Sequence, residues 1–196
     1  MYTWILERSF VITWISLVTL FYIATLVGSL LYHAAPETIK EQIVLWISEY
    51  YKSRVPGLTL NPIVLFMVVL INNTVVAIVA WLLSITVVVP LLTMLVNGLL
   101  VGFIVSLVAS LGGAAGGGYN YLSLYLSLAP HGIIEIPAIA LASSSFAIAL
   151  TRGFKRFISS LPSVLILALI MIAIAAIVES TITIILAMIA TYIAWM

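Results

Sequence analysis

Cysteine and aspartate are both absent from the chain, and it holds only two histidines and six acidic residues. Without cysteine there is no disulfide, no thiol nucleophile and no thiolate metal site, and nothing in the sequence reports on redox compartment. Two histidines with no aspartate or cysteine cannot build a His₃-type zinc centre, so neither metal nor cofactor is expected. The HExxH, Gly-x-Ser-x-Gly and P-loop patterns are missing as well. His131 and Ser143 stand twelve residues apart, about 18 Å along a helix, too far for a Ser–His dyad. Catalysis is therefore not expected, and a carboxylate-assisted reaction at Glu135 has no positive support. Charge is scarce too: 7% of residues are charged, against about 25% in an ordinary soluble domain. A net charge of +1 gives no footprint for nucleic acid. What remains is 65% hydrophobic. No charged shell can be built from it, so the solvent is lipid.

Apolar runs of about 20 residues mark membrane-spanning helices. The chain offers five, at about 9–32, 62–84, 86–111, 121–151 and 160–179. A sixth apolar piece, 180–195, is short; it re-enters the membrane, lies on its surface or prolongs the fifth helix. The expected fold is all-α: one membrane domain over 1–196, a bundle of about five spans with no soluble module and no internal repeat. Arg8 precedes an apolar run from Phe10 to Tyr32, too long for a signal-peptide core, so a retained first span is expected. Lysine and arginine set orientation. Arg152, Lys155 and Arg156 cluster between spans four and five, and Arg8 precedes span one. With five spans these places share a side, expected to be cytoplasmic. The loop 33–61 then lies outside, where Lys40, Lys52 and Arg54 are offset by Glu37, Glu41 and Glu49.

That loop carries a helix of its own, predicted at about 37–53. Pro36 suits its start and Pro56-Gly57 its end. Ile39, Ile43, Trp46, Ile47 and Tyr50 recur at helical spacing, with Lys40, Glu41, Ser48 and Lys52 largely opposite. The pattern is that of an amphipathic helix in the membrane interface. It serves either as a docking surface for an extracytoplasmic partner or as a lid resting on the bundle. Residues 112–118 hold five glycines in seven and are expected to form a flexible linker.

Span four holds the most unusual chemistry. Pro130, Gly132 and Pro137 predict that it is broken, with a half-helix over 121–128, a break at 129–132 and a second half-helix from 133. Broken helices at membrane depth are tolerated where protein or a cavity surrounds them. Within the same segment, His131 and Glu135 are four apart and share a helical face. An ionisable group at this depth costs several kcal/mol. It is therefore either a proton or substrate site or a buried polar clamp that fixes helix packing. Depth suggests partners: Asn72 lies about 15 Å into span two and Asn97 about 16 Å into span three at 1.5 Å per residue. Asn72, Asn97, His131 and Glu135 are expected to form one intramembrane polar cluster, with Asn73 pointing about 100° away.

Span three also carries Gly98, Gly102, Ser106 and Ser110 at four-residue spacing. Such a stripe permits close helix approach. Packing within one bundle is the simpler reading, and a homo-oligomer is the alternative. Glu179-Ser180-Thr181 is read as the boundary of the fifth span rather than as a second polar site.

Three stretches together resemble the stage II sporulation protein M family of integral membrane proteins. Phe66 to Ala77 with Asn72-Asn73 is like the family's second span, and Asn97-Gly98 with Gly102 is like its third. Pro130-His131-Gly132-Ile133-Ile134-Glu135-Ile136-Pro137-Ala138 looks like its signature. The Glu179 region is similar to the acidic end of its last span, so that the likeness covers about 60–181. One departure is visible: the family often has glycines between spans two and three, where this chain has Leu83-Ser84-Ile85-Thr86 and Pro90. The resemblance implies a membrane protein without assigned chemistry; the namesake anchors peptidoglycan-degrading partners during spore engulfment. The expectation is a non-catalytic scaffold or subunit of a membrane complex, in lipid, with a membrane or extracytoplasmic protein partner. The alternative is a small transporter or channel built on the Asn/His/Glu cluster.

Overall fold

The computed structural model describes residues 8–54, 62–114 and 121–194. Among them there are only helices: α1 (Arg8–Ala34), α2 (Glu37–Arg54), α3 (Pro62–Leu82), α4 (Val88–Ala114), α5 (Tyr121–Ser143), α6 (Phe146–Arg152) and α7 (Phe154–Ala194), with a 3₁₀ turn at Ser84–Thr86. Among the described residues four stretches are long and apolar enough to cross a membrane: Arg8–Ala34, Val88–Ser110, Gly132–Arg152 and Pro162–Thr181. A shorter apolar one, Phe66–Leu82, belongs to α3. About five spans were expected, and the result is four with a shorter fifth.

The third stretch, α5 with α6, is the axis of the bundle. Of its central window 67% is buried, against 28–39% for the other three. Composition explains its position. Ala138, Ala140, Ala142 and Ala147 are almost fully buried, and a helix lined with alanine admits neighbours on all sides. On one side α5 meets α3 and α7. There Ala77 of α3, Ala138, Leu141 and Ala142 of α5, Ile148 of α6 and Val164, Ala168 and Ile172 of α7 form one core, joined by Phe10 of α1. On the other side Leu17 and Phe21 of α1, Ala80 of α3 and Met94 of α4 pack against Ile136, Ile139 and Ala140.

The closest pairing is between α1 and α4, which run parallel. Ser29 Oγ lies 2.7 Å from Ser106 Oγ, and one turn farther along both helices Tyr32 OH hydrogen-bonds Ser110 Oγ. A Cβ placed on Gly98 would sit 2.5 Å from Phe21 O, and one on Gly28 would sit 2.1 Å from Leu99 O. The stripe Gly98, Gly102, Ser106 thus lies against α1 within a single chain.

Several expectations need correction. Span four is not interrupted at 129–132: α5 is continuous through Pro130, Gly132 and Pro137. Neighbouring helices and local adjustment accommodate a missing N–H in a membrane helix. The interruption falls at Ser144-Ser145 instead. Ser144 Oγ donates to Ala140 O (2.6 Å) and Ser145 Oγ to Ala142 O (2.9 Å). Serine hydroxyls that claim backbone carbonyls compete with the helical ladder. Of the alternatives for the apolar piece from 180, the structure shows that it prolongs the fifth helix, since α7 runs on past Glu179 to Ala194. The glycine-rich segment begins inside α4, which reaches Ala114, while 115–118 lie outside the described residues. Between α3 and α4, where glycines were noted to be missing, Val87 takes φ 58°, a region a β-branched residue adopts only under strain.

Candidate functional site

Two polar side chains meet in the bundle interior. Asn73 on α3 and Glu135 on α5 are each only 6% exposed, and Asn73 Nδ2 donates to Glu135 Oε2 at 2.6 Å. The arrangement begins with helix phase. Asn73, Ala77 and Ala80 recur along the buried face of α3, and Glu135, Ala138, Ile139 and Ala142 along that of α5. With alanine at 77, 138 and 142 wholly buried, the two backbones come close enough for short polar side chains to touch. Asn73 lies about 16 Å into α3 at 1.5 Å per residue, near the middle of a hydrocarbon core roughly 30 Å thick. There a hydrogen bond has no competition from water.

A second amide extends the pair. Asn72 Nδ2 donates to Asn73 Oδ1 at 3.1 Å, so the order is Asn72, Asn73, Glu135 from the α3 surface inward. From the other side α1 grips α5 on both flanks of Glu135. Trp14 Nε1 donates to Pro137 O at 2.9 Å and Tyr22 OH donates to Gly132 O at 3.4 Å. The carboxyl group is thus held where α1, α3 and α5 converge. Chemically this is a clamp: the contacts made by Asn73, Trp14 and Tyr22 each cross between helices, and α5 supplies the acceptor in all three.

The predicted cluster is met in part. Asn72 and Glu135 are brought into one network, but through Asn73, which was expected to point away. Asn97 is not in it; it is exposed on α4 and donates to Thr93 O of its own helix at 2.8 Å. Equal depth was the whole basis for grouping Asn97 with Glu135, and depth does not fix which way a side chain points. His131 belongs to the continuous part of α5, but its side chain is outside the described residues. Of the residues predicted to break the helix, Pro137 lends its carbonyl to Trp14 and Gly132 lends its own to Tyr22. Trp14 and Tyr22 were not singled out in the sequence, since an aromatic residue in an apolar run carries no signal of its polar edge. The run Ser143-Ser144-Ser145 did carry one: three serines together in a membrane span, here all fully buried. Among the described residues no group of three or more His, Cys, Asp or Glu is placed to hold a metal ion.

No curated protein and no solved structure matches the chain. A family model does, the one described as Stage II sporulation protein M, over residues 17–184. The match takes in α2 to α6 whole and the greater part of α1 and α7, including Asn73 and Glu135 and the α1–α4 glycine contact. This membrane-spanning chain, clamped at mid-depth by Asn73 and Glu135, belongs to the stage II sporulation protein M family.

Proposed function

We propose that the chain is a non-catalytic scaffold or subunit of a membrane complex. The observation that supports this reading is the enclosure of Glu135, a mid-membrane carboxyl group buried among three helices and hydrogen-bonded by Asn73. A group held in this way rigidifies the bundle, and rigidity is what an anchor requires. The same proposal assigns α2 as the surface offered to an extracytoplasmic partner. That helix is seated on the bundle by Ile43, packed against Tyr32, Phe103 and Leu107, and by Lys40 Nζ, 4.7 Å from the Tyr32 ring centroid. The Glu37 carboxylate accepts a hydrogen bond from Lys40 Nζ at 2.8 Å, which raises the lysine's pKa. Ile39, Leu45 and Trp46 remain exposed on it.

Extraction of the native membrane in mild detergent tests the scaffold reading. A companion protein in fixed stoichiometry is expected. The chain purifying alone, with proton flux in liposomes that Glu135→Gln abolishes, would replace the scaffold by a transporter.

The proposed orientation places the N-terminus in the cytoplasm. Phe10 packs with Ile148 and Val164, which brings Arg8 to the same end of the bundle as Arg152, Lys155 and Arg156. Positive charge of this kind is retained inside. Because the chain has no cysteine, single-cysteine labelling is direct. A cysteine at Glu41 should react with an impermeant maleimide from outside intact cells, and one at Lys155 only after the membrane is opened. The reverse pattern would invert the topology.

A further inference from the structure

The flank of the bundle between α3 and α4 carries two amides where lipid would be expected. On α3, Leu70, Ala77 and Trp81 face the core shared with α7, whereas Val76 and Ala80 face the core shared with α4 and α5. Asn72 stands one turn before Val76 and is exposed, on the α4 side of the helix. On α4, Gly98 and Gly102 face α1, whereas Met94 and Val101 face the core shared with α3 and α5. Asn97 stands one turn before Val101 and is exposed, on the α3 side. Counted from the turn that joins the two helices, Asn72 is about 15 Å from the end of α3 and Asn97 about 14 Å from the start of α4. Two asparagines therefore border one flank at one depth near the membrane centre. Each spends its Nδ2 within its own helix, on Asn73 Oδ1 and Thr93 O. Among the described residues no hydrogen bond reaches either amide oxygen. A polar group in this position is costly in lipid and ordinarily faces protein.

The residues around Asn97 say what protein. Thr93, Asn97, Leu100 and Ile104 follow one another at spacings of four, three and four, the spacing of a heptad seam, and all four are at least partly exposed. The surface contains no charge and no aromatic ring. A lone asparagine on such a seam sets register and oligomer state in helix dimers, because it meets its own kind across the axis. An amide suits this role because it both donates and accepts. Copies of one membrane protein enter the bilayer in the same orientation, so a two-fold axis along the membrane normal sets α4 parallel to α4 and opposes each residue to itself.

We infer that the Thr93–Asn97–Leu100–Ile104 seam of α4 pairs with the same seam of a second copy, with the two Asn97 amides hydrogen-bonded across the axis. The dimer needs no other protein, so its failure would leave the scaffold reading standing, and failure of that reading would leave the dimer.

The test uses the full-length protein in phosphatidylcholine–phosphatidylglycerol liposomes at low protein density. Leu100→Cys, treated with copper phenanthroline, should give a disulfide-linked dimer on a denaturing gel. Leu30→Cys on α1 and Ile166→Cys on α7, both exposed, should stay monomeric. With Asn97→Leu added, crosslinking of Leu100→Cys should fall, with dimerisation about tenfold weaker, as expected for one interhelical hydrogen bond in lipid. The one hydrogen bond of the Asn97 side chain among the described residues stays within its own helix, so this variant should fold normally, and an unchanged helical circular dichroism spectrum checks that. Equal crosslinking at all three cysteines, none at Leu100→Cys, or a dimer indifferent to Asn97→Leu would each overturn the pairing.

Discussion

Gly102→Leu is expected to separate α1 from α4 and to cost about 3 kcal/mol or more, the upper part of the range for overpacked interiors. A Cβ at position 102 falls 1.9 Å from Thr25 O and 2.8 Å from Ser29 N. Both are backbone atoms in the middle of a helix, so neither can rotate aside. The helices must instead move apart, and the contacts that depend on their closeness go with them. Ser29 would lose Ser106, and Tyr32 would lose Ser110. In detergent, the thermal midpoint followed by circular dichroism should fall by roughly 5–10 °C, on the usual scaling for chains of this length. Val108→Leu, on the exposed side of α4, should leave it unchanged. Equal midpoints for the two variants would mean that α1 and α4 are not in backbone contact.

Removing the carboxyl group at position 135 is the second large effect. Glu135→Leu leaves the Asn73 amide buried with its acceptor gone, a loss of about 1–3 kcal/mol. Glu135→Gln keeps an oxygen acceptor in nearly the same place and should be close to neutral. Asn73→Leu should resemble Glu135→Leu. The double variant should be less harmful than the sum of the two, since removing both partners leaves nothing unpaired. Unfolding of the four proteins in mixed micelles measures the cycle. Strict additivity, or a Glu135→Leu protein as stable as the parent, would show that the bond seen at 2.6 Å does not hold α3 to α5.

Length and depth were legible in the sequence, and azimuth was not. The limits of α1, α2 and α3 could be read from apolar runs and from Pro36, because hydrocarbon thickness fixes how long a run must be. Which of two adjacent asparagines turns inward could not. Nearly every residue of α3 is apolar, so no polar face marks the phase of the helix, and the choice of Asn73 over Asn72 is made by Ala77 and Ala80 meeting α5 and its neighbours. Asn97 was misplaced for the same reason. The break in span four was misjudged by a different route. Pro130 and Pro137 are the usual signals, yet in lipid an uninterrupted ladder is favoured wherever neighbours allow it. The actual interruption coincides with buried serine hydroxyls at 144 and 145, whose effect depends on their being shut away from other partners.

The parallel run of α1 and α4 constrains the order in which the protein can be made. Synthesis delivers α1 first, and α4 begins only at Val88, after α2 and α3 have left the ribosome. Until then α1 waits in the bilayer with Gly28 uncovered and the Ser29 hydroxyl without Ser106. The helix that arrives next, α3, runs the opposite way and does not carry the matching glycines. Early α1 therefore lacks its main packing partner until α4 is made, and a chain truncated before Val88 is expected to be degraded faster in a pulse-chase than one truncated after Ala114.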